Sequence, residues 1–161
     1  NEIDRTLLQN KIDAVGRPER KILQTFDLAG PTGESNRLSY YPRGLILCLG
    51  PTFEDAQKQA KIAQSMGCTT LIIAPNATGE NAIDGFVDRS VLQTINGFDA
   101  VALWSEVDDL KAARMALAAK DGAILPLFSV KNMKDLCILE RHICIDTTAA
   151  GGNASLLAEQ G

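Results

Sequence analysis

The chain has 161 residues, 45% of them hydrophobic and 22% charged, with a formal net charge of −4. That is long enough for one domain with a buried core, and the composition is that of an ordinary soluble globular protein. Lysines and arginines are scattered and leave no basic patch for a nucleic acid, and no apolar run approaches the roughly 20 residues of a membrane helix.

Asn1 to Leu8 carries no signal-peptide pattern, so cytoplasm is the expected location. Cys48, Cys68, Cys137 and Cys144 form no CxxC pair and no zinc spacing. Three of the four lie in or beside apolar runs and read as small buried hydrophobes. Aromatic residues are only 5% of the chain, so the core is expected to be aliphatic. Buried parallel strands have that character, because both of their faces are covered.

In chain order, Glu2 to Val15 reads as a helix, with Ile3, Leu7, Ile12 and Val15 on one face. Pro18 to about Thr25 is expected to form a second short helix with Ile22 and Leu23 inward. Gly30 to Asn36 is a turn-rich loop. Leu45 to Leu49 reads as a buried strand. Thr52 can cap the following helix, with Asp55 as a capping-box partner, and that helix should run to Met66 and stop at Gly67.

Thr70 to Ala74 is the next strand, and Asn81 to Ile95 is expected to be mostly helical, although Gly85 opposes it. Ala100 to Trp104 is a third strand, Val107 to Lys120 a helix, and Ala123 to Leu127 a fourth strand. Lys131 to Leu136 should form one or two helical turns, and Ile138 to Asp146 an exposed strand. The alternation βαβαβαβ implies a Rossmann-like parallel sheet of the α/β class, with a helical lead-in and a C-terminal β-flap. The expected segments are 1–27 for the lead-in, 28–130 for the sheet domain and 131–161 for flap and tail.

Ligands of such sheets sit outside the carboxyl ends of the strands. No GxGxxG stands at any of those turns, and Glu106, Asp108 and Asp109 place carboxylates where a pyrophosphate would need a positive helix end. Glu54, Asp55, Asp108 and Asp109 suit helix N-termini. His142 is the sole histidine and lies two residues from Cys144, so a dyad is conceivable, though an ordinary strand pair accounts for both. No metal-ligand cluster is expected, and no catalytic or cofactor-binding residue is assigned.

Two stretches resemble the coenzyme-binding half of aldehyde dehydrogenases. They are Pro42-Arg43-Gly44-Leu45-Ile46, and Gly67 through Pro75 after the intervening helix. Phe98 to Val107 is similar to that family's next strand and FTGS-type turn. The departures matter as much. No asparagine stands at Gly50 to Phe53, the family's ribose-binding lysine matches Ala74, and Phe128-Ser129-Val130 stand where its general-base glutamate would be. The subdomain that carries the nucleophilic cysteine has no counterpart.

The segment Ile138 to Arg141, followed by Asp146 to Leu157, resembles the C-terminus of proline utilization A. Leu28 to Asn36 is similar to that family's GPTGE-N loop. The resemblance runs from about Leu28 to the end. It implies a non-catalytic, aldehyde-dehydrogenase-like domain of a bifunctional enzyme that joins an FAD-dependent proline dehydrogenase to an NAD-dependent glutamate-semialdehyde (pyrroline-5-carboxylate) dehydrogenase.

In such an enzyme the domain is expected to cover the cavity through which the intermediate passes. Its partner is the catalytic aldehyde dehydrogenase module of the same or a neighbouring chain, with at most peripheral membrane association of the parent. Thr147, Thr148, Gly151, Gly152, Asn153, Ser155, Leu156 and Leu157 are the expected docking tail. The glycines permit close backbone approach, the polar groups bond without bulk, and the leucines anchor. Two other readings stand beside it: a nucleotide or regulatory ligand at the strand ends, or a small enzyme using Cys144 and His142.

Overall fold

The apolar runs form a five-stranded parallel sheet of order β5-β4-β3-β6-β7. The elements in chain order are α1 (Arg5–Val15), β1 (Gln24–Leu28), β2 (Glu34–Pro42), β3 (Leu45–Cys48), α2 (Phe53–Ser65), β4 (Thr69–Ala74), β5 (Ala82–Asp84), β6 (Ala100–Ala102), α3 (Val107–Ala118), β7 (Leu127–Phe128) and β8 (Ile138–Asp146). Short 3-10 turns lie at Arg89–Gln93 and Lys134–Cys137. The computed structural model describes residues 1–17, 22–30 and 32–146. The chain divides into two units, Asn1–Glu19 with Arg43–Cys137, and Arg20–Pro42 with Ile138–Gly161.

In the first unit, strand alternation sorts side chains into two cores. Leu45, Leu47 and Leu49 face a cluster with Leu8 and Ile12 of α1 and Ala113, Ala116 and Leu117 of α3. Ile46 and Cys48 face the other side, against Ala56, Ala60 and Ala63 of α2. Helices therefore cover both faces of the sheet, which is why β3 is buried at every position. Asp4 caps α1, accepting from the amides of Thr6 and Leu7, and Thr52 caps α2 by accepting from Asp55 N. As expected, α2 ends before Gly67.

Asn81 to Ile95 is not the expected helix. It holds the short strand β5 and a 3-10 turn. Gly85 adopts φ +145, and a Cβ there would meet the Asn1 carbonyl oxygen and the Ile3 side chain at 2.7 Å. The chain passes this crowded point extended, and Val87, Leu92 and Ile95 still reach the core from irregular backbone. The sheet consequently has five strands rather than four.

Its fourth expected strand, Ala123 to Leu127, is reduced to Leu127–Phe128. Pro126 has no N–H to donate, and Ile124 is 85% exposed. The strand expected over Ala100 to Trp104 pairs only as far as Ala102, and the helix expected to reach Lys120 ends at Ala118.

The second unit is an antiparallel sheet of order β1-β2-β8. The helix expected to reach Thr25 is corrected there: Thr25 lies in β1, and Ile22 and Leu23 are 55% and 44% exposed rather than inward. Cross-strand pairing outweighs the helical spacing. Leu23 N donates to Tyr40 O, Thr25 and Ser39 hydroxyls meet at 3.3 Å, and Phe26 stands edge-on to Tyr40 at 5.9 Å. The loop Gly30 to Asn36 is the hairpin turn, with its last three residues already in β2. The strand Ile138–Asp146 stands as expected. No helix among the described residues is long and apolar enough to cross a membrane.

Candidate functional site

Taken along the chain, the five parallel strands lie in the order third, second, first, fourth, fifth. The direction of winding reverses between β3 and β6, and a crevice at their carboxyl ends is where such a sheet receives a ligand. Here Gly50, just past β3, is hydrogen-bonded within the chain.

Gln59 comes from the buried face of α2, in step with Ala56, Ala60 and Ala63. Its side-chain amide clasps Gly50 at both ends: Gly50 N donates to Oε1 at 3.0 Å, and Nε2 donates to Gly50 O at 2.8 Å. Trp104 N donates to the same carbonyl at 2.7 Å, which seals β3 to the segment after β6. Backbone groups that could have turned toward a phosphate are thereby bonded internally.

The flanking helix ends are acidic. Glu54 and Asp55 occupy the first turn of α2, and Asp108 and Asp109 that of α3, whose cap residue Glu106 makes no side-chain cap bond. Asp109 is held by Arg89 through Nε at 2.7 Å and Nη2 at 3.0 Å. Arg89 itself is buried and lies 4.9 Å from the centre of the Phe86 ring. The guanidinium contact, aided by a hydrogen bond from Ser105, keeps the Asp109 carboxyl below the usual carboxylate range. A carboxylate paired with Arg89 thus lies in the first turn of α3.

Ala74 is 1% exposed and too short to reach a ribose. Phe128, the last residue of β7, is buried, and past it Ser129 Oγ accepts from Arg114 Nη2 at 3.2 Å. One group stands out: the buried indole Nε1 of Trp104 has no hydrogen-bond partner among the described residues.

Gly44 of the PRG stretch has a definite task. It sits at φ +136 with the Asp99 carboxylate against the space a Cβ would take. Asp99 Oδ2 accepts from Leu45 N at 2.9 Å and from Arg17 Nε at 3.1 Å, which fixes the start of β3.

On β8, His142 and Cys144 pair with Leu38 and Asn36 of β2, on one face. The Cys144 thiol donates to Glu34 Oε1 at 2.9 Å. Among the described residues no group of three His, Cys, Asp or Glu could hold a metal ion. The expected docking residues Thr147, Thr148, Gly151, Gly152, Asn153, Ser155, Leu156 and Leu157 lie outside the described residues.

Gln59 and Arg89 carry most of this geometry, and neither is singled out by the sequence reading. A glutamine at core spacing between alanines was a signal for the first; nothing local marks the second.

Strand order and helices on both faces define a doubly wound α/β domain. No family model matches the chain. It is 31% identical over 146 residues to the bifunctional protein PutA of Escherichia coli K12, covering 81% of this chain and 11% of that protein. It is 28% identical over 178 residues to the PutA of Klebsiella aerogenes, covering 91% and 13%. The chain is accordingly homologous to one domain-sized part of the bifunctional PutA proteins, and it spans only 11–13% of their length. A crystal structure of a Bradyrhizobium japonicum proline utilization A mutant superposes with a TM-score of 0.54 at 21% identity, over 73% of this chain and 14% of that one. That likeness concerns the fold.

Proposed function

We propose that the chain is a non-catalytic domain of a bifunctional proline-catabolic enzyme that oxidises proline to glutamate through pyrroline-5-carboxylate and glutamate semialdehyde. The parent uses FAD and NAD in its catalytic modules, whereas this domain carries neither and no catalytic residue. It acts as a lid over the cavity that holds the intermediate. It packs on the NAD-dependent aldehyde dehydrogenase module through the flap strand β8 and the tail from Thr147, in a cytoplasmic enzyme that at most associates peripherally with membranes.

The observation that carries this reading is the internal bonding at the strand ends: Gln59 clasping Gly50, with acidic residues in the first turn of α3. A domain with a dinucleotide fold whose ligand cleft is internally bonded is suited to present surfaces rather than chemistry. The small residues of the tail suit close docking. Truncating the whole enzyme before Thr147 tests the lid. Coupled proline-to-glutamate turnover should fall, with free aldehyde intermediate appearing in solution, while the proline dehydrogenase step alone is retained. Unchanged coupled turnover would remove the lid role.

A second reading, a regulatory ligand at the strand ends, is favoured by one observation, the unpartnered Trp104 Nε1. Such a donor could meet a ligand acceptor beside β6. The acidic rim opposes an anionic one.

A further inference from the structure

Asn96 is the one asparagine of the chain that a glycine follows; each of the others precedes a residue with a Cβ. A side chain at the next position hinders attack by that residue's backbone nitrogen on the asparagine amide, and glycine has none. The corner lies between the 3-10 turn Arg89–Gln93 and β6. Asn96 is exposed there, and Gly97 sits at φ +95.

The two ends of the Asn96 amide are held differently. Lys120, just past α3, donates from Nζ to Asn96 Oδ1 at 3.2 Å, to Gln93 O at 3.5 Å and to Ile95 O. The same ammonium lies 5.2 Å from the centre of the Phe98 ring, so it is fixed against the amide oxygen. The amide nitrogen reaches Thr94 O only at the long distance of 3.5 Å. Among the described residues Gly97 N donates no hydrogen bond. Gln9 of α1 grips the Asn96 backbone from the other side: its Nε2 donates to Asn96 O and its Oε1 accepts from Asn96 N, both at 2.8 Å.

We propose that Asn96 is a self-modification site, which loses its side-chain amide through a cyclic imide while Lys120 receives the developing negative charge. Hydroxide takes the Gly97 N–H proton and becomes water. The Gly97 nitrogen bonds to Asn96 Cγ, and the carbonyl electron pair moves onto Oδ1, where the Lys120 ammonium donates to it. The Cγ–Nδ2 bond then breaks as the C=O bond re-forms. The nitrogen leaves as ammonia with a proton from water, which returns the hydroxide. One further water opens the five-membered imide. Opening at Cγ gives aspartate, and opening at the backbone carbonyl gives isoaspartate, with the main chain rerouted through Cβ. The sum is one amide and one water giving one carboxylate and one ammonium.

Both products change the corner. Each sets a carboxylate beside Lys120, whose oxygen partners in the unmodified chain are all neutral. Isoaspartate also lengthens the main chain by one carbon between the amide and the carbonyl that Gln9 bridges. The two-point hold on α1 is then lost, whereas aspartate keeps it.

The test is a time course on the folded chain in mildly alkaline buffer, read by peptide mapping, beside a synthetic peptide spanning Thr94 to Ala100. Asn96 should convert at least as fast in the chain as in the peptide, and ahead of every other asparagine. The mass should rise by the difference between a hydroxyl and an amino group, and electron-transfer fragmentation should separate aspartate from isoaspartate. Lys120→Met should slow the conversion about fivefold, the factor of an exposed charged contact removed from the transition state. Asn96→Gln, which cannot close a five-membered ring, should abolish it. The isoaspartate form should show faster amide hydrogen exchange in α1 than the aspartate form. Conversion several-fold slower in the folded chain than in the peptide would overturn the proposal, as would an unchanged rate in folded Lys120→Met. If that variant does not fold, the comparison of chain with peptide decides.

Discussion

Replacing Gln59 by leucine isolates the bond pattern that closes the strand-end crevice. Leucine nearly matches glutamine in volume, so little cavity is created, but both hydrogen bonds to Gly50 are lost. The two backbone groups then fare differently. Gly50 O keeps the Trp104 amide at 2.7 Å, whereas Gly50 N is left buried without an acceptor. An orphaned buried donor costs about 1–3 kcal/mol, and the lost second bond about 1 kcal/mol more. Burial of the added apolar atoms offsets roughly 1 kcal/mol of this. The net loss is about 2 kcal/mol, which for a chain of this size lowers the melting temperature by about 4–8 °C. Thermal unfolding followed by circular dichroism measures it. Gln59→Glu keeps an acceptor for Gly50 N but sets a buried carboxylate against Gly50 O, so it should be the more damaging change at neutral pH. A Gln59→Leu chain melting within about 1 °C of the unmodified one would refute the reasoning, because the clasp would then carry no weight.

Asp109→Asn leaves Arg89 buried without its counter-charge and should cost about 2–4 kcal/mol in urea unfolding. Because the Asp109 carboxyl is held below its ordinary range, its contribution is fully present above the unfolded value of about 3.9 and is lost as pH falls through the lower folded value. The acid limb of a stability–pH profile should therefore flatten in Asp109→Asn, and an unchanged limb would contradict the pairing. Gly44→Ala drives a Cβ toward the Asp99 carboxylate at a φ that side chains rarely adopt, and about 2–3 kcal/mol of lost stability is expected. Loss of less than about 0.5 kcal/mol would show that Asp99 moves away freely.

The parts of the fold legible in the sequence are those where one local pattern meets no competitor. Leu45 to Leu49 and Thr70 to Ala74 are continuous aliphatic runs bounded by Gly or Pro, and α2 starts at a capping threonine and stops before a glycine. Where tertiary contacts decide, the pattern misleads. The apolar spacing of Asn81 to Ile95 suits a helix, but the N-terminal segment crowds Gly85 and forces extended chain. Ile22 and Leu23 have inward-facing spacing, yet pairing with β2, some seventeen residues downstream of Leu23 at Tyr40, claims that stretch for a strand edge.

At the strand ends, the acidic turn Glu106 to Asp109 could be read directly, since carboxylate type and helix position suffice. That Arg89 neutralises Asp109 could not, because the two residues come from different elements and meet only in the fold.

The proposal at the centre of this account is that the domain binds no dinucleotide at its strand ends. A calorimetric titration of the chain with NAD, repeated with NADP and ATP, addresses it most directly. The account predicts no association tighter than about millimolar, a free energy no more favourable than about −4 kcal/mol. A micromolar constant for any of the three would contradict it.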